Sequence, residues 1–258
     1  MKGLYVVVET IDGGGKGAIL KGFKKYHEEK KEDVFDLELS WTKNGNLKKW
    51  YGTNNILPNY KSLIFHLNKE GINPEAFIVA EPTFEGLGKI IREEATNTDL
   101  SKNFNSEQRI NLFAENRLNL LKNFILPALD DGKNIYSSRN ITSSLVYQST
   151  ELNCDYYNII NKHPGNIFAM ANLPKYTIIN SISIDMSTKL LNLREKKDDS
   201  MFENKSFQSK IRDKYLSKSL KKLLESYGSE VIYIDIPEES TEKDTINKAY
   251  NLIKKLDV

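Results

Sequence analysis

The feature that most constrains the fold is a short apolar run that passes directly into a glycine-rich turn. Residues 4–9 read Leu-Tyr-Val-Val-Val-Glu, and residues 10–17 read Thr-Ile-Asp-Gly-Gly-Gly-Lys-Gly. The apolar run is typical of a strand buried on both faces of a parallel sheet. Glycines let backbone N–H groups wrap around phosphates, and a lysine can reach the outer ones. The turn therefore predicts a phosphate-binding loop for a nucleoside triphosphate.

This loop departs from the usual G-x-x-x-x-G-K-[ST] spacing at two positions. Gly15 and Lys16 match, whereas Thr10 stands at the first glycine and Gly17 at the hydroxyl residue that normally serves Mg²⁺. The alternative is a glycine-rich turn with an incidental lysine. The strand before it and the helix after it favour the phosphate site, since a helix N-terminus attracts anions. The predicted ATP-binding residues are Asp12, Gly13, Gly14, Gly15, Lys16 and Gly17.

The rest of the chain alternates between short strand patterns and longer helix patterns. Further strands are predicted at residues 76–80, 134–138, 175–184 and 230–236, with helices at 18–31, 87–95, 106–130, 142–152, 207–227 and 241–256. This alternation predicts an α/β fold of the P-loop NTPase type, with three layers and a parallel, roughly five-stranded sheet flanked by helices. We predict a single domain over residues 1–258 with an insertion at about 32–75. The insertion is expected to carry a possible hairpin at Asn44-Gly45 and a final helix around 60–68.

Composition limits the partners of the chain. It has 37 basic and 35 acidic side chains, too even a balance to indicate nucleic acid or an acidic membrane as the obligate partner. The single cysteine, Cys154, excludes an intramolecular disulfide. The first apolar run is too short to span a membrane, and no signal-type segment precedes it. We therefore expect a cytoplasmic protein whose partners are small-molecule nucleotides.

Four segments with recognisable spacing follow one another along the chain. They are Glu9-x-x-Asp12-Gly13-x-Gly15-Lys16, then Glu81-Pro82-Thr83 with Gly86-x-Gly88-Lys89-x-Ile91-Arg92-Glu93, then Asn111-Leu112-Phe113-Ala114-Glu115-Asn116-Arg117, and Ser137-Ser138-Arg139-Asn140 through Tyr147-Gln148. In this order they resemble the motifs of the thymidylate kinase family of P-loop nucleoside monophosphate kinases. Phe202-Glu203 and the segment from Phe207 to Leu216 resemble the family's lid and the helix after it. The resemblance covers most of the chain apart from residues 32–75.

The resemblance implies a site for an acceptor nucleotide. Phe113 would stack on the thymine ring, and Arg117, four residues later on the same helical face, would hydrogen-bond the base. Core packing is the alternative for Phe113. Arg139 follows a predicted strand, where ligands of open α/β sheets bind, and would hold the acceptor phosphate. A surface ion pair is the alternative for Arg139.

Further substrate contacts are implied in the same way. Tyr147 would lie against the deoxyribose and select against a 2′-hydroxyl, and Ser144 would approach the thymine. Asp12 would accept a hydrogen bond from the sugar 3′-hydroxyl, and Glu81 is assigned to the substrate site as well. These residues complete the predicted acceptor site.

The implied reaction is ATP-dependent phosphorylation of dTMP to dTDP. Lys16, Arg139 and Arg194 are the predicted catalytic cations, with Arg194 in a lid at about residues 194–205. Lys196, Lys197 and Arg212 could add charge there, although a solvated basic face is an equal alternative. Mg²⁺ is expected to be held mainly through the nucleotide phosphates, with no side chain assigned as a ligand. The family resemblance also implies a possible homodimer.

Three departures leave other functions open. Ala80 stands where the family usually has an arginine, Ser138 replaces an aspartate, and Gly17 removes the loop hydroxyl. The acceptor could therefore be another deoxynucleotide. A catalytically weakened nucleotide-binding protein that acts through a partner is the non-enzymatic alternative.

Overall fold

The computed structural model describes residues 2–40, 47, 50, 59–95, 104–192 and 205–256. Six parallel strands form one sheet within these residues. They are β1 (Tyr5–Glu9), β2 (Val34–Asp36), β3 (Ala76–Ala80), β4 (Asn134–Ser138), β5 (Tyr176–Asn180) and β6 (Glu230–Ile234). Their order is β2-β3-β4-β1-β5-β6, which places β1 between β4 and β5. The predicted fold class is confirmed, with six strands where roughly five were expected.

The additional strand is β2, at the edge of the sheet. It pairs in parallel with β3, Val34 opposite Ala76 and Asp36 opposite Ile78. Its three residues lie inside the segment predicted to be an insertion, and so short a run carries no readable periodicity. The predicted hairpin at Asn44-Gly45 falls outside the described residues.

Helices connect the strands and cover both faces of the sheet. They are α1 (Lys16–Glu29), α2 (Leu37–Ser40), α3 (Tyr60–Lys69), α4 (Leu87–Ala95), α5 (Ser106–Leu120), α6 (Leu126–Asp130), α7 (Ile141–Glu151), α8 (Tyr156–Asn161), α9 (Pro164–Met170), α10 (Ile184–Asn192), α11 (Lys205–Tyr215), α12 (Lys218–Ser226) and α13 (Glu242–Lys255). No helix in these ranges is both long and apolar enough to span a membrane.

Two of the predicted helices are divided. The helix predicted over residues 106–130 contains a π-helical turn, Leu121–Ile125, just before Pro127. Proline lacks an N–H and its ring collides with the carbonyl four residues earlier, which a wider turn relieves. The helix predicted over 207–227 is two helices, because the Ser217 hydroxyl caps α12 by accepting a bond from the Leu220 N–H at 3.2 Å.

The core has two layers separated by the sheet. Val6 and Val8 of β1 pack with Phe23 of α1 and with Ile253 of α13 on one face. Val7 belongs to the larger cluster on the opposite face, which includes side chains of α5 and α7. Successive residues of a strand point to opposite faces, so β1 contributes to both layers and is fully buried. This arrangement fixes the carboxyl end of β1 beside those of β4 and β5.

Candidate active site

The phosphate loop, residues 10–17, links β1 to α1 at the carboxyl edge of the sheet. Gly15 has φ 75° and ψ 21°, in the left-handed region, and α1 begins at Lys16. A Cβ at Gly15 would have no atom of the described residues within 4 Å, so it is the backbone turn that requires this glycine. The N-terminus of a 14-residue helix therefore lies at this turn with a dipole that favours an anion.

Thr10 supports the loop from below. A Cβ at Gly14 would lie 2.1 Å from the Thr10 Oγ1, so the threonine side chain fills the space under the turn. That hydroxyl donates to the Asn180 carbonyl at 3.2 Å, and the Asn180 amide donates to the Gly14 carbonyl at 2.7 Å. The residue that departs from the usual loop motif thus fastens the loop to the end of β5.

Gly17 leaves the metal side of the loop without a side chain. Among the residues that the structure describes, a Cβ there would have nothing within 4 Å. Histidine, cysteine, aspartate and glutamate side chains form no group of three suited to a metal across the described ranges. How Mg²⁺ is held with the nucleotide phosphates therefore stays a prediction.

Asp12 is the centre of the polar network next to the loop. Its carboxylate pairs with Arg139 and accepts bonds from the Tyr147 hydroxyl at 3.2 Å and the Gln208 amide at 3.1 Å. Burial opposes its ionisation, but the charges of Arg139 and Lys16 outweigh that cost and lower the pKa of Asp12. The carboxylate is therefore ionised at neutral pH, and Lys16 lies close enough to act on it.

Arg139 follows β4 in a strained conformation. Its φ is 73°, in the left-handed region that a side chain other than glycine rarely adopts. Its N–H donates to the Val8 carbonyl at 3.1 Å, and its guanidinium donates to Ser143 at 3.0 Å. The guanidinium carbon lies 5.1 Å from the centre of the Tyr147 ring. Strain held by several partners at a sheet edge is common at functional sites.

Glu9 lies beneath this network and is fully buried. One carboxylate oxygen accepts the Asn140 N–H at 2.9 Å. The other accepts the Ser143 hydroxyl at 2.6 Å and the Tyr215 hydroxyl at 2.8 Å. With both oxygens bonded to protein donors, Glu9 supports Ser143 and Tyr215 rather than pointing into open space.

Arg117 of α5 lies in a second buried network, which contacts α7 at the next residue, Ser144. It is 1% exposed, and its guanidinium donates to Glu81 at 2.8 Å, Asn166 at 2.7 Å and Ser144 at 2.7 Å. Burial raises the pKa of Glu81 to about 7, with Arg117 opposing the shift and Glu9 adding to it. One oxygen of Glu81 has no hydrogen-bond partner in the described part of the chain.

The two networks meet through α7. Ser143 contacts Arg139 and Ser144 contacts Arg117, so adjacent residues join the two guanidinium groups. We call Asp12, Glu81, Arg117, Arg139 and Tyr147 the arginine corner. Phe113, four residues before Arg117 on α5, is half-buried. Most of the sequence-predicted acceptor residues are thus brought to one side of the phosphate loop.

Two departures from the family pattern lie side by side. Ala80 and Ser138 are register partners at the ends of β3 and β4. Arg92 of α4 lies close by, and its guanidinium donates to the carbonyls of the turn after β3. Burial lowers the pKa of Arg92 to about 10; Glu38 opposes this shift and the charge of Arg139 adds to it. A second guanidinium therefore acts electrostatically on Arg139.

Several residues of this site were not predicted from the sequence. Gln148 is buried, and neither polar atom of its side chain has a partner in the described part of the chain. It follows Ser144 by one helical turn, a spacing that could have drawn attention to it. Gln208 and Tyr215 of α11 contact Asp12 and Glu9 across about two hundred residues, and no local pattern signals such pairs.

Of the four cations predicted for the lid, Arg212 lies within the described residues. Arg194, Lys196 and Lys197 fall outside the described residues. Arg212 donates to the carbonyls of Ser181 and Ile182 at 3.1 and 2.9 Å and so fastens α11 to the loop after β5.

Comparisons with known proteins agree with this geometry. The family model described as thymidylate kinase matches residues 59–243. A probable thymidylate kinase of Methanosphaera stadtmanae is 30% identical over 83% of this chain and 82% of its own length. A thymidylate kinase of a Thermoanaerobacter species is 29% identical over 96% and 97% of the two chains. One from Ligilactobacillus salivarius is 26% identical over 84% of each.

The residues that match the family model include most of the candidate site. The matched range contains Glu81, Arg117, Arg139 and Tyr147, and the Thermoanaerobacter relative extends the similarity over nearly the whole chain. The family match covers well over half of the chain, and the Methanosphaera relative is covered over most of its length. The chain belongs to the thymidylate kinase family.

Proposed function

We propose that this protein transfers the γ-phosphoryl group of ATP to dTMP, giving dTDP and ADP. The observation that carries the proposal is the pairing of Arg139 with Asp12 directly beside the phosphate loop. Arg139 can bind a phosphate, and Asp12 can accept a hydrogen bond from a sugar hydroxyl. Both lie beside the loop residues proposed to bind the triphosphate. The thymidylate kinases named above support dTMP as the acceptor.

The donor side of the reaction rests on the phosphate loop. ATP phosphates would lie over residues 13–16, with Lys16 reaching the outer ones. The left-handed turn at Gly15 and the start of α1 at Lys16 support this position. MgATP is the substrate, and its ion supplies charge neutralisation on the phosphates when bound.

The acceptor phosphate would bind Arg139. Its guanidinium is held by Ser143 and Asp12 and stacks near Tyr147, so it is oriented before a ligand arrives. Asp12 would turn one oxygen to the sugar 3′-hydroxyl, and the Tyr147 ring would limit the space around the 2′ carbon. The sugar and the phosphate would thus be read by side chains that already contact one another.

The base would lie against Phe113, next to the Arg117 network. Ser144 is hydrogen-bonded to Arg117, and one turn later on α7 the amide of Gln148 has no partner among the described residues. A pyrimidine edge offers both a donor and acceptors, which an amide and a guanidinium can match. Arg117 keeps donor capacity because each of its terminal nitrogens carries two hydrogens.

The chemistry needs no covalent enzyme intermediate. A phosphate oxygen of dTMP attacks the γ-phosphorus, the bond to the bridging oxygen breaks, and ADP leaves with that electron pair. The acceptor phosphate is already ionised at neutral pH, so no protein base is required. Lys16 and Arg139 would stabilise the charge, and Arg194 remains a predicted lid cation outside the described residues.

A second acceptor class is favoured by one specific observation. A groove beside Ala80 is lined by Glu38 and Thr83 among apolar side chains, where the family usually has an arginine. Without that arginine at the end of β3 the acceptor phosphate would be held differently, which leaves another deoxynucleotide as the alternative acceptor. An assay that compares several deoxynucleotides as acceptors distinguishes dTMP from such an alternative.

The test is a coupled ADP-release assay with MgATP and a panel of dTMP, dUMP, dCMP and dGMP. The proposal predicts the largest kcat/KM for dTMP. A larger kcat/KM for another nucleotide would make that nucleotide the acceptor. No turnover with any of the four would exclude a kinase activity on these nucleotides. Thermal stabilisation by ATP and dTMP without turnover would instead support a binding protein that acts through a partner.

The family resemblance implies a homodimer, and the short first apolar run with no signal-type segment before it is the basis for expecting a cytoplasmic location. A homodimer and a cytoplasmic location both stay predictions. Light scattering at micromolar concentration tests the first, and fractionation of the source cells tests the second.

A further inference from the structure

Gln208 holds Asp12 by two hydrogen bonds of opposite direction. The Asp12 N–H donates to the Gln208 Oε1 at 3.2 Å, and the Gln208 Nε2 donates to the Asp12 Oδ2 at 3.1 Å. Reversing the amide would set its carbonyl against the carboxylate and its NH₂ against an N–H. The orientation of this side chain is therefore fixed by Asp12, and it is 3% exposed.

The other partners of the Asp12 carboxylate are themselves ligand-binding residues. Arg139 and Tyr147 would both contact the acceptor and shift when it enters. Gln208 differs, because it comes from α11 and contacts the main chain of Asp12 as well as its carboxylate. Of these three partners, it is the one suited to hold Asp12 both before and after the acceptor binds.

The helix that carries Gln208, α11, is held next to the phosphate loop by several side chains. Ile211 is fully buried, Arg212 donates to the carbonyls after β5, and the Tyr215 hydroxyl donates to Glu9. Positions 208, 211, 212 and 215 share one face of α11. The Gln208 amide is thus presented from a helix that is hydrogen-bonded both to β1 and to the segment after β5.

We propose that Gln208 is a positioning residue for the acceptor sugar, setting the orientation in which Asp12 receives the 3′-hydroxyl. The inference rests on the proposed function, because it gives Asp12 its role there. Gln208 touches no substrate atom itself. Its loss should weaken the recognition of the 3′-hydroxyl more than it changes the binding of ATP, whose phosphates are proposed to lie over residues 13–16.

The test compares dTMP with its 3′-deoxy analogue as acceptors. Wild type, Gln208→Met, Gln208→Glu and the control Ser209→Ala are assayed at saturating MgATP, with thermal unfolding to check that each variant folds. Methionine keeps the length of the side chain without its amide, glutamate keeps its shape without the donor, and Ser209 is an exposed neighbour on α11.

Wild type should prefer dTMP over the analogue. Gln208→Met should lower kcat/KM for dTMP roughly tenfold through KM, the size expected for a hydrogen bond to a charged group. It should change kcat/KM for the 3′-deoxy analogue by less than about twofold, and Gln208→Glu should act in the same direction. In the Gln208 variants the KM for ATP should change less than the KM for dTMP. The Ser209→Ala variant should match wild type on both acceptors.

Equal loss on both acceptors would overturn the proposal, because a general structural defect does not depend on one hydroxyl. Should Gln208→Met fail to fold, the same comparison with Gln208→Glu decides. Wild type that phosphorylates both acceptors equally well would overturn the role of Asp12 and this proposal together. The kinase function would survive that result, so the two failures are distinguishable.

Discussion

The phosphate loop and the arginine corner lie side by side but are built in opposite ways. The loop presents backbone, and a Cβ added at Gly15 or Gly17 would contact no atom in the described part of the chain. The corner presents charged side chains whose polar atoms are bonded to one another, with Arg117 almost entirely buried. The family model matches residues 59–243, a range that contains most of the corner and begins after the loop.

This difference indicates where the site is specific and where it is general. Backbone N–H groups and one lysine can bind any triphosphate, so a loop of this kind tolerates Thr10 and Gly17. An acceptor is recognised by side chains held in fixed orientations, and a gap in that set removes recognition. We therefore expect substitutions in the corner to have large effects and substitutions in the loop to tune the rate.

The largest effect should come from Arg139. Arg139→Ala removes the cation proposed for the acceptor phosphate and leaves Asp12 without its strongest partner. We expect kcat/KM for dTMP to fall roughly 10³-fold, or about 4 kcal/mol of transition-state stabilisation. Arg139→Lys should recover little, since an ammonium cannot reproduce the bidentate geometry. Activity equal to wild type in the coupled assay would remove Arg139 from the site.

The next largest effect concerns the stability of the corner. Arg117→Met leaves Glu81, Asn166 and Ser144 without their shared donor inside the protein. Breaking such a buried pair should cost about 3 kcal/mol of unfolding free energy. Urea unfolding followed by fluorescence measures it, with Asn111→Ala on the exposed face of α5 as the control. A cost no larger than the control's would show that the corner does not depend on this arginine.

The pH dependence of the unfolding free energy should reveal the ionisation of Glu81. Its pKa is raised to about 7 mainly by burial, above its unfolded value, so the native state favours the protonated form. The stability from this group is present below about pH 4 and is lost as pH rises through 7. Between pH 6 and 8 the loss should be about 1.4 kcal/mol.

A single comparison isolates that contribution. Glu81→Gln cannot ionise, so its unfolding free energy should fall by less than that of wild type between pH 6 and 8. An identical fall in both proteins would assign the pH dependence to other groups.

The smallest effect, and one in the favourable direction, belongs to the loop. Gly17→Ser restores a hydroxyl at a position where a Cβ would contact none of the described residues, and serine is a better helix former than glycine. We expect kcat to rise a few-fold, on the order of 1 kcal/mol, with the KM for dTMP unchanged. Gly15→Ala is the matched control and should impair ATP binding, because its φ of 75° disfavours a side chain. A fall in kcat for Gly17→Ser would contradict the assigned metal side of the loop.

Local sequence patterns were sufficient for the frame of the site. The apolar run before the glycines predicted β1 and the loop, and Arg139 was expected just past a strand, where it lies. The three-residue β2 was missed because so short a strand has no period to read. The expectation for Arg117 did not include its burial among protein partners, since tertiary bonds decide that.

Long-range contacts account for the rest of what the sequence did not predict. Gln208 follows Asp12 by 196 residues, and its role depends on how α11 packs against the loop. Thr10 was read as a defect of the motif, yet its side chain supports Gly14 from below and bonds to Asn180. The roles of Gln208 and Thr10 both depend on tertiary packing, which the local spacing of residues does not predict.

The most direct test of the account is phosphorus NMR of wild-type protein with MgATP and dTMP. It follows the donor and the acceptor in one sample. We predict that dTDP and ADP appear in equal amounts, at a rate that rises with dTMP until the site is saturated. ATP consumed without dTDP, or dTMP bound without either product, would contradict the claim that the loop and the arginine corner together form a phosphoryl-transfer site.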